Sequence, residues 1–307
     1  MRHYHSLREV SLHNSWLAIG VFDGVHRGHQ QIIKRLAAGA HENDVPAVVL
    51  TFHPHPAKVF GRGEIRLLTL PDERAELFAS LGVDVVVTHP FDQEVANTTA
   101  FDFMSQLKQY LGLDHLVLGY DSTIGKNREG NAARLTEIGS ELGYSVEVVP
   151  ALSDESGVIS STEIRKLIAT GNVAGAAQLM GHPYSLHGPV AHGDKRGRTI
   201  DVPTANIEYS HDKLIPTNGI YTCWATLDNK KYQAAVNIGI NPTFTPDKQT
   251  PNVEAHLLDF QREIYGEDIR LEFVTRLRDE LRFDSVNKLL EQIWKDIEDT
   301  RKILSSG

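Results

Sequence analysis

A single cysteine, Cys223, in 307 residues excludes an internal disulfide, and this fits a chain that works in a reducing cytoplasm. Long apolar runs are missing as well: none approaches the roughly 18 consecutive residues a membrane span needs, and the opening MRHYHSLREV lacks the apolar core of a secretory signal. Basic residues fall short of acidic ones, 31 against 40 for a net charge of −9. Such a surface repels a polyanion, so nucleic acid is excluded as the default partner. No internal repeat or low-complexity tract occurs, and nothing points to an obligatory protein partner. The composition, 41% hydrophobic and 23% charged, is that of a globular protein, and the length suits two domains of ordinary size.

The two expected domains differ in pattern. From Trp16 to about Val149, five β-rich runs (WLAIGVF, PAVVLTF, VDVVVT, HLVLGY and YSVEVVP) alternate with segments of helical period at Gly28–Glu42, Asp72–Leu81, Ala100–Leu111 and Ala132–Leu142. Strand followed by helix, repeated, predicts a parallel sheet with crossover helices. A further helical stretch opens at ISSTEIRKLIATG and runs to about Met180. Beyond Gly181 short strands follow one another with Gly, Pro and Asn between them, which predicts an antiparallel sheet or small barrel. A last helix over Ser285–Leu304 places Val286, Leu289, Leu290, Ile293, Ile297 and Leu304 on one face for packing against it. The boundary is set at 182/183.

GVFDGVHRGH, Gly20 to His29, stands where a strand ends and a helix begins, the position at which open α/β sheets hold ligands. Glycines at 20, 24 and 28 permit close backbone approach to a phosphate. Phe22 stands among them, and His26 and His29 flank a helix start that favours anions. Two other readings fit: the histidines cap the helix, or they bind a metal together with His53 and His55. In ISSTEIR, Ser160 and Glu163 have capping-box spacing. Ser161 and Thr162 on the same turn would hold phosphate oxygens, with Arg165 facing a leaving pyrophosphate.

The second half carries HGDKRGRTIDVPTANI, His192 to Ile207. Gly193, Lys195 and Arg198 make a flexible basic loop suited to a polyphosphate, or else a solvated hairpin turn. Thr204 and Asn206 alternate along an extended segment, and their oxygens suit Mg²⁺ carried by ATP. Glu254, in the strand NVEAHLLDF, shares a face with His256 and is the candidate base for an alcohol that must lose its proton. The plain alternative for Glu254 is an outward-facing strand residue.

Gly20–His29, the PHP of Pro54–Pro56, GYDSTIGKNREG at Gly119–Gly130 and ISSTEIR, followed by GDKRGRTI, PTAN, GIY, VNIGINPTF, VEAHLLDF, YG and LRDELRF, resemble in content and order the bacterial bifunctional riboflavin kinase/FAD synthetases. The resemblance implies an α/β plus β architecture. Its first part, residues 1–182, is a Rossmann-like nucleotidyltransferase domain that joins AMP to FMN, giving FAD and pyrophosphate. Its second part, residues 183–307, is a six-stranded antiparallel barrel with a C-terminal helix that makes FMN from riboflavin with ATP and Mg²⁺. His55, Asp121 and Arg278 are implied as flavin-binding residues, Thr204 and Asn206 as Mg-ATP ligands, and Glu254 as the group that activates the ribityl 5′-hydroxyl. Two departures stand out. Ser122 and Ile124 replace aromatic residues in the flavin segment, which predicts weaker or displaced FMN. Asp201 and Val202 replace Gly-Phe before PTAN, which predicts altered kinase turnover. The competing functions are a kinase with an impaired or re-specified first domain, and a non-catalytic flavin- or nucleotide-binding regulator.

Overall fold

The computed structural model describes residues 1–61, 63–154, 157–192, 202–240 and 251–305. The chain divides into two compact units, Met1–Ser161 and Thr162–Gly307.

The first unit contains β1 (Arg2–Tyr4), β2 (Ser15–Ile19), α1 (Arg27–Glu42), β3 (Ala47–His53), α2 (Pro56–Val59), α3 (Pro71–Ser80), β4 (Val85–Pro90), α4 (Gln93–Asn97), α5 (Ala100–Leu111), β5 (Leu113–Gly119), α6 (Ala132–Leu142), β6 (Ser145–Val149), and the short pair β7 (Ser153–Asp154) and β8 (Gly157–Val158). Six strands form one sheet in the order β1-β4-β3-β2-β5-β6, and every pairing is parallel. The central strands are buried on both faces. Val48, Val49 and Leu50 of β3 and Val85, Val86 and Val87 of β4 are fully shielded, as a sheet covered by helices on both sides requires. One hydrophobic cluster packs α5 and α6 on one face through Leu107, Leu111 and Ile138. Another packs α1 and α3 on the other through Ile33, Leu36 and Phe78. β3 lies on one side of β2 and β5 on the other, so strand order reverses between β2 and β5, and their carboxyl ends frame the crevice where such sheets take ligands.

The second unit begins within α7 (Ser161–Ala169) and continues through α8 (Val173–Met180), β9 (Tyr184–Ala191), β10 (Ala205–Ile207), β11 (Gly219–Leu227), β12 (Lys230–Gly239), β13 (Asn252–Leu257), β14 (Asp268–Arg278) and α9 (Val286–Ser305). Periodicity alone predicts one helical stretch to Met180. The chain instead breaks at Gly171, whose φ of +82° no helix accommodates, and restarts where the Asn172 side chain accepts from the Gly175 amide. α8 packs on β14 and β9.

The six strands close into an antiparallel barrel, β10-β13-β12-β11-β14-β9. Alternation decides which side chains fill it. Val253, Ala255 and Leu257 of β13 and Ala234, Val236 and Ile238 of β12 are buried inside, while Glu254, His256, Ala235 and Asn237 face outward. α9 lies across this outer face, against β12 and β11. Its contact runs through Ile297 with Val202 and Leu258, flanked by Ala235 and Ile293. The expected apolar face of α9 is only partly used: Ile297 and Leu304 are buried, but Val286 is 60% exposed.

Candidate active sites

In the first unit the loop from Gly20 to Val25 is wound tightly. Phe22, Gly24 and Val25 have φ of +49°, +83° and +39°. A β-branched residue at positive φ is a strained outlier that the surroundings must hold in place. They do so with buried hydrogen bonds. The Asp23 carboxylate, 2% exposed, accepts from the Leu68 and Thr69 amides at 3.0 Å. The Val21 carbonyl accepts from Thr51 Oγ1 at 3.0 Å and from the Arg74 guanidinium, and Gln30 Nε2 donates to the Val25 carbonyl at 2.8 Å. Ser161 Oγ, at the end of the first unit, donates to the Asp23 carbonyl at 2.8 Å. The Gly24 amide donates to Thr69 Oγ1 at 2.9 Å, and a Cβ there would lie 2.8 Å from Leu68 Cδ1, so this glycine answers to a left-handed turn and a close approach at once.

His26 caps α1: its Nδ1 accepts from the His29 amide at 3.3 Å, which leaves the proton on Nε2. Of the readings open for His26, capping is thus observed directly. The two imidazoles stack with centroids 3.5 Å apart, and the Phe22 ring meets His29 edge-on at 5.2 Å. Burial pushes the His26 pKa down to about 4 against the opposing pull of Asp23 and Asp121. His29 is held well below the usual histidine range by burial, then by His26 and by Arg74. Both rings are neutral at pH 7. Asp121 follows the carboxyl end of β5 and acts electrostatically on His26, so the crevice unites the two motifs. His55 caps α2, its Nδ1 accepting from the Ala57 amide at 3.1 Å. Among the described residues no three His, Cys, Asp or Glu side chains are placed to hold a metal. Thr162 and Arg165 stand on α7 in the second unit.

The departures in the flavin segment divide in character. Ile124 is 8% exposed; it pairs its backbone with Gly130 at 2.8 and 2.9 Å and joins the core with Ala100 and Phe103. It is a packing residue. Ser122 lies in a turn closed by its amide to the Gly119 carbonyl at 3.1 Å.

In the second unit, register brings distant motif residues together. Asn206 of β10 is the partner of Glu254 of β13, and Glu254 is in turn the partner of Asn237 of β12. His256 shares a hydrogen bond of 2.8 Å with the Pro203 carbonyl, its Nδ1 donating. A cavity of about 290 Å³ lies between this outer wall and α9. Its polar lining includes Thr204, Asn237, Glu254, Arg278, Glu280 and Asp296, and its apolar lining includes Ile220, Leu281, Phe283, Leu289 and Ile293. Thr204 also borders a neighbouring cavity of about 240 Å³ with Phe260, Ile264 and Tyr265, so it stands at the wall common to both.

Arg278 lines the first cavity, but its Nε donates to Asp296 Oδ1 at 2.9 Å, its Nη2 to Oδ2 of the same carboxylate, and its Nη1 to the Asp279 carbonyl at 2.8 Å. Gln292 supports Asp296 at 2.9 Å. Burial raises the pKa of Glu280, opposed by Asn218 and Arg278. Val202, 4% exposed, packs on Leu258 and Ile297, so the apolar role survives where the family has Phe. Gly193, Lys195, Arg198 and Asp201 lie outside the described residues. VNIGINPTF and LRDELRF contain Asn237 and Glu280 without singling them out, and Asp296 lies in none of the quoted motifs: their place at the cavity shows only when strands and a helix remote in sequence meet there.

The FAD synthetase family matches residues 9–163 and the riboflavin kinase family residues 180–304. The bifunctional riboflavin kinase/FMN adenylyltransferase of Listeria monocytogenes is 39% identical over 290 residues, covering 94% of this chain and 92% of its own. The Bacillus subtilis protein of the same description is 35% identical, covering 99% and 97%. A crystal structure described as a macrolide-efflux protein from Streptococcus pneumoniae superimposes with a TM-score of 0.89 at 32% identity, covering 97% of this chain and 98% of that one. In the present chain no helix among the described residues is long and apolar enough to cross a membrane. With both halves matched in order and relatives aligned nearly end to end, the chain belongs to the bifunctional riboflavin kinase/FMN adenylyltransferase family.

Proposed function

We propose that the parallel-sheet unit transfers AMP from ATP to FMN at the His26–His29 crevice, and that the barrel phosphorylates riboflavin on the wall carrying Asn206 and Glu254. In the first reaction the FMN phosphate is already ionised, so it attacks the α-phosphorus without a strong base. The protein aligns the reactants and stabilises charge on the phosphoryl oxygens. Neutral imidazoles suit that role, since Nε2–H of His26 donates to a phosphoryl oxygen and gives up no proton. The tight Gly20–Val25 turn and the α1 N-terminus favour the triphosphate.

In the second reaction the attacking group is an alcohol. Glu254 takes the proton of the terminal ribityl hydroxyl as its oxygen attacks the γ-phosphorus, the bond from that phosphorus to the β,γ-bridging oxygen breaks, and ADP leaves. The apolar lining beneath α9 receives the flavin ring, and the cavity on the other side of Thr204, with Tyr265 and Phe260, receives the nucleotide. The oxygens of Thr204 and Asn206 are hard donors that fit Mg²⁺ shared with phosphate. The ion carried on ATP would neutralise triphosphate charge there.

The observation that supports this reading above all is the register that sets Asn206 beside Glu254, a donor for the nucleotide's cation next to a base for the alcohol. The test is to incubate the protein with ATP and Mg²⁺ plus either riboflavin or FMN and to resolve the flavins by chromatography. FAD from both substrates is expected. FMN accumulating without FAD overturns the assignment of the first unit, and no FMN from riboflavin overturns that of the barrel.

A further inference from the structure

The outer wall of the barrel carries a polar atom that these two reactions leave unused. Asn237 of β12 faces the cavity beneath α9 with Glu254 and Thr204, and its side-chain Oδ1 is buried without a hydrogen-bond partner among the described residues. Buried amide oxygens are almost always paired, so an unpartnered one on a residue that lines a cavity calls for a donor that arrives with a ligand, reached by a turn of the side-chain amide.

The register says which part of the ligand. Asn206, Glu254 and Asn237 stand side by side on β10, β13 and β12. Neighbouring strands are about 4.8 Å apart, so the Asn206 and Asn237 backbones are separated by roughly 10 Å with Glu254 between them. A magnesium ion has its ligands at about 2 Å, and an ion on Asn206 is therefore out of range of Asn237 unless both side chains lean across Glu254. The row reads in one direction: cation and phosphate at Asn206, reacting hydroxyl at Glu254, the remainder of the alcohol at Asn237. The lining beyond is apolar, with Ile220, Leu281, Leu289 and Ile293, and suits a ring. What falls next to Asn237 is the chain between ring and reacting hydroxyl, and its donors are secondary hydroxyls.

We infer that the Asn237 side-chain carbonyl accepts a hydrogen bond from a secondary hydroxyl of the ribityl chain and so aims the terminal hydroxyl at Glu254. Asn237 is then a substrate-contacting residue of the kinase, an inference that rests on the kinase reading of the barrel.

The test pairs a variant with a substrate. Asn237→Ala is assayed on riboflavin and on an isoalloxazine bearing a 5-hydroxypentyl chain, which keeps the terminal hydroxyl and lacks the secondary ones. With riboflavin, kcat/KM falls about 10- to 100-fold, the scale of one lost hydrogen bond at a reacting substrate. With the hydroxypentyl flavin, the variant and the wild type turn over alike. An equal loss on both substrates overturns the inference, because it places the role of Asn237 in the barrel structure or at the terminal hydroxyl. Asn237→Ser, a smaller change, is measured in the same way if the alanine variant is insoluble, and conversion of supplied FMN to FAD reports on the other unit in each preparation. A wild-type protein that makes no FMN from riboflavin fails differently: it overturns the kinase reading, and the inference with it.

Discussion

The imidazole rings of His26 and His29 lie face to face, 3.5 Å between centroids and 20° between planes. Two protonated rings would repel at that distance, and burial keeps both neutral. In the proposed adenylyl transfer the pair would therefore donate hydrogen bonds to phosphoryl oxygens rather than give up a proton. His29→Ala is expected to lower conversion of FMN to FAD by about a hundred-fold or more, the scale of one lost donor to a developing charge, and to leave riboflavin phosphorylation intact. Separate assays of the two half-reactions decide it, and parallel loss of both would remove His29 from the first site.

Glu254→Gln gives the converse pattern. The amide occupies the same place in the β13 register but takes no proton, so FMN formation is expected to fall by about 10²- to 10⁴-fold, with FMN adenylylation unchanged. A variant that retains full kinase turnover would return Glu254 to the rank of an ordinary outward strand residue.

The depressed His26 pKa makes stability depend on pH. The folded value is about 4 against 6.5 for the free group. As pH falls below about 6.5 the unfolded chain takes up the proton first, so stability is lost between roughly pH 6.5 and 4 and is complete above that window. For this group the loss between pH 7 and pH 5 is about 2 kcal/mol. His26→Asn keeps a capping acceptor without a titrating ring. Its urea midpoint is expected to shift less over this interval than that of the wild type, and equal shifts would contradict the neutral-ring account.

Much of this architecture is legible in sequence where periodicity and a local cap coincide. α5 and α6 start and stop at the residues expected, because Thr99 and Asn131 cap them and Gly112 and Gly143 end them in left-handed conformations. β1 is not legible: Arg2–Tyr4 is short and polar, and it is a strand only because Val85–Val87 of β4 pairs with it. The same limit applies to the site. The GVFDGVHRGH and PTAN motifs announce themselves, but that Ile124 is core, or that Arg278 is held by Asp296, depends on partners that only the folded chain supplies.

Ile124→Phe tests the first of those points. Restoring the family's aromatic residue at a position already packed among Ala100, Phe103 and Leu135 is expected to destabilise the parallel-sheet unit by about 1–3 kcal/mol without tightening FMN binding. Calorimetry and FMN titration measure the two effects, and tighter binding would show that the side chain reaches the flavin.

Asp296→Ala tests the second. The carboxylate is 8% exposed and the paired guanidinium 19%, so truncation leaves a largely buried cation without its counterion, at a cost of about 3 kcal/mol to the barrel. Because the pair joins β14 to α9 at the cavity, the KM for riboflavin is expected to rise as well. Unchanged stability and KM together would mean that the ion pair is incidental to both.

The alternation along β13 separates two kinds of constraint on one strand. Val253, Ala255 and Leu257 fill the barrel while Glu254 and His256 face the cavity, so folding and recognition occupy interleaved letters of a single six-residue word. A substitution at Val253, Ala255 or Leu257 is therefore paid in barrel stability, and one at Glu254 or His256 in the chemistry of the cavity.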